Sequence, residues 1–233
     1  CHASAVNYKN KTLLFPAWRH TGKTNLMLRF LEDGAELISD DGVLMFDDGR
    51  ILSYSKRIHL LYYNFLRYPY LSEFLDHEMK SLFSLLDKNN KSTLVSNETF
   101  NVLNKLIRVR IQNKLLTNKR HSPKYIKCDI VYNLNKNLSF NNGHKITPIS
   151  LDKLVVKSSE TSIFELGHFL TAYNACSLME SNNSNILENS NKQFNRIFYK
   201  AFSKIRNIYE ISFYDNIDVE ETFNLVKDHL NEI

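Results

Sequence analysis

The sequence predicts an α/β domain with a helical insertion, and three observations lead to that prediction. Strand-like and helix-like segments alternate near both ends of the chain, whereas residues from about 60 to 120 have the apolar spacing of helices. The length of 233 residues is enough for one large domain with its own core. A hydrophobic content of 43%, with only 6 glycines and 4 prolines, excludes a disordered or collagen-like chain. We therefore expect one domain over residues 1–233, with the insertion at about 60–120.

The first part of the chain is predicted to form strands around one amphipathic helix. Residues 3–6 and 12–16 have strand character, and a polar turn joins them. Leu26 and Phe30 then lie on the apolar side of a helix, which Gly34 is expected to end. Three more strands are expected over residues 35–39, 43–46 and 51–54, the last two of them as a hairpin.

The remaining elements are predicted from periodicity and capping residues. Apolar spacing predicts helices over about 71–86 and 97–116. Ser162 and Glu165 form a capping box, which predicts that a helix begins there and runs to about residue 179. Strands are expected over 125–134, 153–156 and 209–214, a Ser/Asn-rich loop over 181–191, an amphipathic helix over about 194–208, and a last helix capped by Asp218.

The strongest functional signal lies within residues 1–50. A strand, a loop, the tripeptide Gly22-Lys23-Thr24 and an amphipathic helix follow one another in the order of a P-loop. The backbone N–H groups and the dipole at such a helix N-terminus favour bound phosphate. We expect Lys23 to contact the β- and γ-phosphates and Thr24 to ligate Mg²⁺. Asp40 and Asp41 close the next strand 17 residues after the lysine, where a carboxylate can hold Mg²⁺ directly or through water.

The loop departs from the P-loop consensus, and the acidic pair could also be part of a turn without a function. The consensus asks for glycine at position 17, but the sequence has Ala17, which lacks the freedom of glycine to adopt a positive φ. The residues that follow, Trp18, Arg19 and His20, are bulky or basic. Asp40–Gly42 could equally form an ordinary turn with no metal-binding role.

These residues together resemble the catalytic core of HPr kinase/phosphorylase, which belongs to the phosphoenolpyruvate-carboxykinase-like P-loop group. That family shows a His-Gly or His-Ala strand, a G-x-S-G-x-G-K-S/T loop and an Asp-Asp pair at the end of the next strand. The matching segments here are residues 1–6, 17–24 and 34–41. The resemblance is specific over residues 1–60, vague over 120–156 and 205–230, and absent over 61–118. It implies a mixed sheet with flanking helices, and the region about 60–120 would be an α-helical insertion in it.

The resemblance also implies an activity, namely ATP- and Mg²⁺-dependent transfer of a phosphoryl group to a serine-type hydroxyl of a peptide, protein or small molecule. By position, Asp40 would be the general base and Asp41 a metal ligand beside Thr24. His2 matches the family histidine that faces the active site, although it could instead be structural. Lys23 would act in catalysis as well as in binding. The implied nucleotide-binding residues are Arg19, His20, Thr21, Gly22, Lys23 and Thr24.

Two other classes of function stay open. Ala17 and His20 replace glycines of the family loop, which leaves fewer unhindered backbone N–H donors for the phosphates. Either the side chains of Arg19 and His20 supply donors in their place, or the loop has lost nucleotide binding. The chain would then be a catalytically degenerate nucleotide-binding or partner-docking module. A basic stripe on a helix, which suits either an acidic partner or solvent, consists of Lys192, Arg196, Lys200 and Lys204. A second basic cluster spans 114–127, but no nucleic-acid-binding motif accompanies it, so nucleic acid is the weakest partner hypothesis.

Charge and cysteine content bound the partners and the compartment. The net charge of +5 favours phosphate-bearing ligands or acidic partners. Cys1, Cys128 and Cys176 lie far apart with no CxxC pair, which suits a reducing, cytoplasmic environment. No apolar run approaches the ~20 residues that span a bilayer, so we expect no membrane partner. The start at Cys1 rather than Met suggests a fragment, and the family resemblance leaves a homo-oligomer open.

Overall fold

The computed structural model describes residues 1–54, 57–91, 102, 106–112, 116, 125–137, 143–167, 171, 186–214 and 217–233. The structure is mixed α/β, and the chain divides into two compact units. The first contains residues 1–54 and 122–233, and the second contains residues 55–121. The sequence predicted an insertion at about 60–120.

The first unit is built on a six-stranded mixed sheet with the strand order β10-β11-β9-β2-β1-β3. Its strands are β1 (Ala3–Tyr8), β2 (Lys11–Pro16), β3 (Glu36–Ser39), β9 (Ile130–Lys136), β10 (Lys145–Pro148) and β11 (Asn207–Phe213). β2, β9 and β11 run parallel, whereas β1 is antiparallel to both β2 and β3. A separate three-stranded sheet contains β4 (Val43–Met45), β5 (Arg50–Ser53) and β8 (Ile126–Lys127).

Helices cover both faces of the six-stranded sheet. They are α1 (Lys23–Glu32), α4 (Leu151–Glu165), α5 (Ile186–Phe202) and α6 (Val219–Glu232). On one face, Leu14 of β2 belongs to a buried cluster with Leu154 of α4 and Phe202 of α5. Because side chains alternate along a strand, the neighbouring Phe15 faces the other way and stacks on Phe30 of α1. Apolar side chains of β2 are therefore buried on both faces of the sheet, just before the loop that follows this strand.

The second unit combines a hairpin with two short helices and one longer helix. β6 (Arg57–Leu61) pairs antiparallel with β7 (Arg108–Gln112). α2 (Tyr62–Arg67), a 3-10 helix (Pro69–Phe74) and α3 (His77–Lys91) complete its described elements. Tyr62 and Phe65 of α2 contact Phe83 of α3 edge to face, which gives this unit an aromatic core of its own.

Two helix predictions in this region are confirmed only in part: the first holds over 77–86, and the second fails over 108–112. The predicted helix 97–116 contains β7, in which Val109 and Ile111 alternate with polar residues. Ile111 is buried and pairs with β6. The remainder of that prediction lies largely outside the described residues. The predicted helix 71–86 is interrupted before α3. There the Asp76 carboxylate accepts a hydrogen bond from the backbone N–H of Met79, so Asp76 caps a new helix.

Predictions around α4 were also wrong. Residues 153–156 are helical rather than extended, since α4 begins at Leu151 and the Ser150 side chain caps it by accepting from the N–H of Lys153. The pair Ser162 and Glu165 lies at the end of α4 instead of opening a helix, and the Ser162 hydroxyl donates to the carbonyl of Ser158 in the preceding turn. The expected continuation to residue 179 falls almost entirely outside the described residues.

Three further element boundaries differ from prediction. Residues 186–191, predicted as loop, already belong to α5, which ends at Phe202 rather than near residue 208. The strand expected over 125–134 is split into β8 and β9 around buried Cys128. The strand expected over 209–214 is confirmed as β11, which begins at Asn207, ends at Phe213 and lies between β9 and β10 in the sheet. Residues 181–185 and Cys176 lie outside the described part of the chain.

Candidate functional site

Sheet topology brings three separate segments to one edge. β2 and β3 point in the same direction because each is antiparallel to β1. The loop 17–22 after β2, the pair Asp40-Asp41 after β3 and His2 before β1 therefore meet at this edge. Ligand sites of open α/β sheets occur at the carboxyl ends of strands for the same reason.

Lys23 is buried at the start of α1 with its ammonium group turned into the loop. Its Nζ donates to the carbonyls of Trp18 (2.9 Å) and Ala17 (3.3 Å), and it lies 2.7 Å from His2 Nε2. Burial lowers the Lys23 pKa from 10.5 to about 8, against the attraction of Asp41 and Asp40. The side chain is thus a buried cation that a bound anion would stabilise.

Asp40 joins the end of β3 to the head of α1. Its carboxylate is buried and accepts hydrogen bonds from Ser4 Oγ (2.5 Å) and from Thr24 Oγ1 (3.0 Å). Burial raises the Asp40 pKa, and the two hydroxyl donors partly offset that effect. A buried carboxylate held by hydroxyls and close to a lysine is suited to a cation, because a cation would compensate the charge that burial disfavours.

His2 and Asp41 form the more open side of the site. His2 is buried, and its Nδ1 lies 3.4 Å from Asp41 Oδ1, whose side chain is 53% exposed. The two ring nitrogens of His2 therefore face different partners, Nε2 the ammonium of Lys23 and Nδ1 the carboxylate of Asp41. Asp41 has a positive φ of 60°, the left-handed conformation that aspartate tolerates better than most residues.

A long-range ion pair ties the loop to the end of α4. Arg19 donates to both carboxylate oxygens of Glu165, from Nε at 2.5 Å and from a terminal nitrogen at 2.6 Å. Trp18 meets Phe164 edge to face, with ring centroids 5.1 Å apart. Glu165 Oε1 also lies 3.8 Å from His2 Nε2. Burial raises the Glu165 pKa, but Arg19, His2 and Lys23 outweigh it and hold the pKa below its usual range.

The backbone of the loop explains which positions need glycine. Gly22 caps α1 with a φ of 89°, and a β-carbon there would lie 2.2 Å from Cγ2 of Ile217. His20 also has a positive φ, 59°, although it is not glycine. Ala17 does not, so the expected conflict between Ala17 and a left-handed backbone does not arise. Thr21 fixes the loop from within, since its hydroxyl donates to the carbonyl of Trp18 at 2.7 Å.

The predicted site residues fall into two groups. Close contacts link Lys23 to His2 and His2 to Asp41, a hydrogen bond links Thr24 to Asp40, and the charges of Asp40 and Asp41 act on Lys23. The other predicted nucleotide-binding residues lie in the loop itself: Arg19 is paired with Glu165, the His20 side chain is exposed, Thr21 is buried, and Gly22 forms the cap.

Sequence reasoning missed two residues of the site. Ser4 lies two positions after His2 on the same face of β1, so strand alternation was a signal that could have found it. Glu165 had no such signal, because it reaches Arg19 across 146 residues of sequence.

The oxygen atoms near Thr24 suit a hard divalent cation. The hydroxyl proton of Thr24 points to Asp40, which leaves the oxygen lone pairs available for a metal. Among the described residues, no group of three or more His, Cys, Asp or Glu side chains is arranged to hold a metal ion. Mg²⁺ at this place would therefore take further ligands from phosphate oxygens and water, which is its usual behaviour.

Other predicted features lie away from this edge or outside the described residues. Lys200 of the basic stripe pairs with Asp47 at 3.1 Å, and Lys204 follows the end of α5. Most of the cluster 114–127 is not described, Lys127 being the exception on β8. No helix within the described part is long and apolar enough to cross a bilayer.

The chain was compared with protein-family models and with curated proteins. No family model matches the chain. No curated protein matches it either.

Proposed function

We propose that this chain is an ATP- and Mg²⁺-dependent phosphotransferase that phosphorylates a serine-type hydroxyl, as a diverged, cytoplasmic member of the HPr kinase/phosphorylase-like P-loop family. One observation carries the proposal. The Thr24 hydroxyl donates to Asp40 at 3.0 Å, which joins the head of the loop helix to the acidic pair of the next strand. A P-loop phosphotransferase needs this junction to place a metal beside the phosphates.

The cationic groups of the loop support phosphate binding. Lys23 Nζ is held by two carbonyls of the loop, which are neutral acceptors. Phosphate oxygens are charged acceptors and form stronger bonds with an ammonium group, so they would replace these carbonyls. A bound phosphate also raises the pKa of Lys23 and keeps the side chain charged.

Thr24 and Asp40 would hold Mg²⁺. When bound there, the ion supplies neutralisation of the charge that develops on the transferred phosphoryl group. Thr24 offers its hydroxyl oxygen to the ion. Asp40 accepts the hydrogen bond from that hydroxyl and supplies a buried negative charge. Ser4 holds the other oxygen of Asp40, which fixes the orientation of the carboxylate.

We assign the general base to Asp41, which reverses the roles expected from sequence. Asp40 is buried and both of its oxygens accept hydroxyl protons, so it has little access to an acceptor molecule. Asp41 is half exposed, and its carboxylate lies 3.4 Å from His2 Nδ1. The acceptor hydroxyl would pass its proton to the carboxylate of Asp41 while its oxygen attacks the terminal phosphorus, and the bond from that phosphorus to the oxygen of the departing ADP would break.

Calorimetry with Mg-ATP and a phosphate-release assay test the proposal. We expect saturable binding that Lys23→Met abolishes and that Lys9→Met, at the opposite end of the β1–β2 hairpin, leaves unchanged. Asp41→Asn should keep binding within about threefold but lower turnover by about 100-fold, because a general base contributes that much. Absence of binding to ATP, GTP and pyrophosphate by the wild type would overturn the proposal.

The second candidate is a catalytically degenerate nucleotide-binding or partner-docking module. The ion pair between Arg19 and Glu165 favours it, since this pair already neutralises the exposed cation of the loop. Asp40→Asn separates the two functions. In an enzyme it should abolish turnover and leave some nucleotide binding, whereas in a docking module the affinity for a partner should not change.

A further inference from the structure

We propose that Glu165 occupies the anion subsite of the loop and that Arg19 exchanges this carboxylate for a phosphate group of a polyphosphate ligand. This inference rests on the proposed function and deepens it. Glu165 thereby lowers the affinity of the loop for phosphate, because a phosphate group must displace its carboxylate from Arg19.

The geometry of the pair is that of anion recognition. Arg19 presents two nitrogens in one plane and both carboxylate oxygens of Glu165 accept, at 2.5 Å and 2.6 Å. The same two-nitrogen fork binds phosphate, so a phosphate group can replace the carboxylate without a change in the donor set.

Glu165 also lies where the basic groups of the site converge. Its carboxylate is 3.8 Å from His2 Nε2, and it attracts the buried ammonium of Lys23. Its side chain is only 19% exposed, in contrast to 54% for Arg19. A position beside Arg19, His2 and Lys23 is therefore taken by a carboxylate of the chain itself.

A second contact links the same two segments. Trp18 precedes Arg19 and packs on Phe164, which precedes Glu165. The Arg19 guanidinium lies 5.9 Å from the Phe164 ring centre. Because the two contacts join adjacent residues, we expect departure of Glu165 from Arg19 to change the packing of Trp18 on Phe164. Because Trp18 is the only tryptophan in the chain, its fluorescence reports the exchange directly.

The test is a titration of the full chain with inorganic tripolyphosphate, followed by Trp18 fluorescence and calorimetry. Glu165→Gln keeps the shape of the side chain and removes its charge. We expect it to bind tripolyphosphate about tenfold more tightly than the wild type, and to shift Trp18 emission even without ligand. Glu160→Gln, at an exposed position on the same helix, is the control for net charge and should stay within about twofold.

Arg19→Gln separates exchange from simple charge repulsion. In the Arg19→Gln background, Glu165→Gln should lose most of its tenfold gain, because the donor that changes partner is gone. A gain that persists there, or no gain in the single variant, overturns the inference. Wild-type binding of Mg-ATP with no effect of Glu165→Gln overturns only the inference, whereas absence of phosphate binding in every variant overturns the proposed function as well. Circular dichroism of each variant checks that it is folded.

Discussion

Lys23 should make the stability of the protein depend on pH in a way that a single substitution removes. Burial lowers its pKa from 10.5 to about 8, so between these values the unfolded chain holds a proton that the folded chain has released. Stability then rises with pH, because the unfolded state binds more protons in that window. The full difference corresponds to about 3 kcal/mol, at about 1.4 kcal/mol for each pH unit. Below pH 8 Lys23 is charged in both the folded and the unfolded state, and its burial destabilises the folded protein by this full amount.

Lys23→Met tests this by urea denaturation at pH 7, 8, 9 and 10. The free energy of unfolding of the wild type, relative to that of the variant, should rise by about 2–3 kcal/mol from pH 7 to pH 10. Taking the difference cancels the titration of groups common to both proteins. Lys9→Met, an exposed position, shows what the same exchange does on the surface. A difference that stays flat across this range would refute the burial of a charged Lys23 and weaken the case for an anion site beside it.

Three further outcomes follow from the contacts of the site and the sheet. Gly22→Ala should cost about 2–4 kcal/mol, and Ile217→Ala should recover part of that cost in a double-mutant cycle measured by urea denaturation, because the new β-carbon meets the Ile217 side chain. Asp40→Asn should raise the melting temperature at pH 7, since burial raises the Asp40 pKa. The gain should shrink as the pH falls and disappear below the ordinary aspartate pKa of 3.8, where the wild-type carboxyl is protonated in both the folded and the unfolded state. Glu210→Gln should lower the free energy of unfolding by about 1–2 kcal/mol at neutral pH, because buried Glu210 binds Lys157 at 2.6 Å. Burial raises the Glu210 pKa, but the neighbouring ammonium groups lower it by more. The stabilisation should therefore disappear in acid titrations, at pH values below the usual glutamate range.

Local sequence signals predicted the elements that carry the loop and the acidic pair. The strands β1 and β2, the helix α1 and the hairpin β4–β5 were expected, and the structure confirms them. Each is defined by neighbours in sequence: alternation within the strands, a glycine at the end of α1, and short turns between antiparallel strands. In the β1–β2 turn, Lys9 and Asn10 have positive φ, a conformation typical of such two-residue hairpin turns.

The failures occur where tertiary contacts decide. Residues 153–156 are apolar and β-branched enough to resemble a strand, yet they form helix because Leu154 and Val155 pack into the cluster shared with α5. The alternation around Ile111 competes with a helical spacing of the same residues, and pairing with β6 decides in favour of β7. Sequence spacing also could not assign the roles of Asp40 and Asp41, since only their burial distinguishes them.

The departure of the loop from the consensus costs less than the sequence suggests. The structure requires a left-handed backbone at His20 and Gly22 but not at Ala17, so one of the two lost glycines has no conformational penalty. At His20 the penalty is on the order of 1 kcal/mol, which a folded domain can absorb. The feature that limits anion binding is then not the missing glycine but the carboxylate of Glu165, which already neutralises Arg19. Restoring glycine at position 20 should therefore change tripolyphosphate affinity less than Glu165→Gln does, and the reverse order in a fluorescence titration would show that the backbone, rather than Glu165, controls the loop.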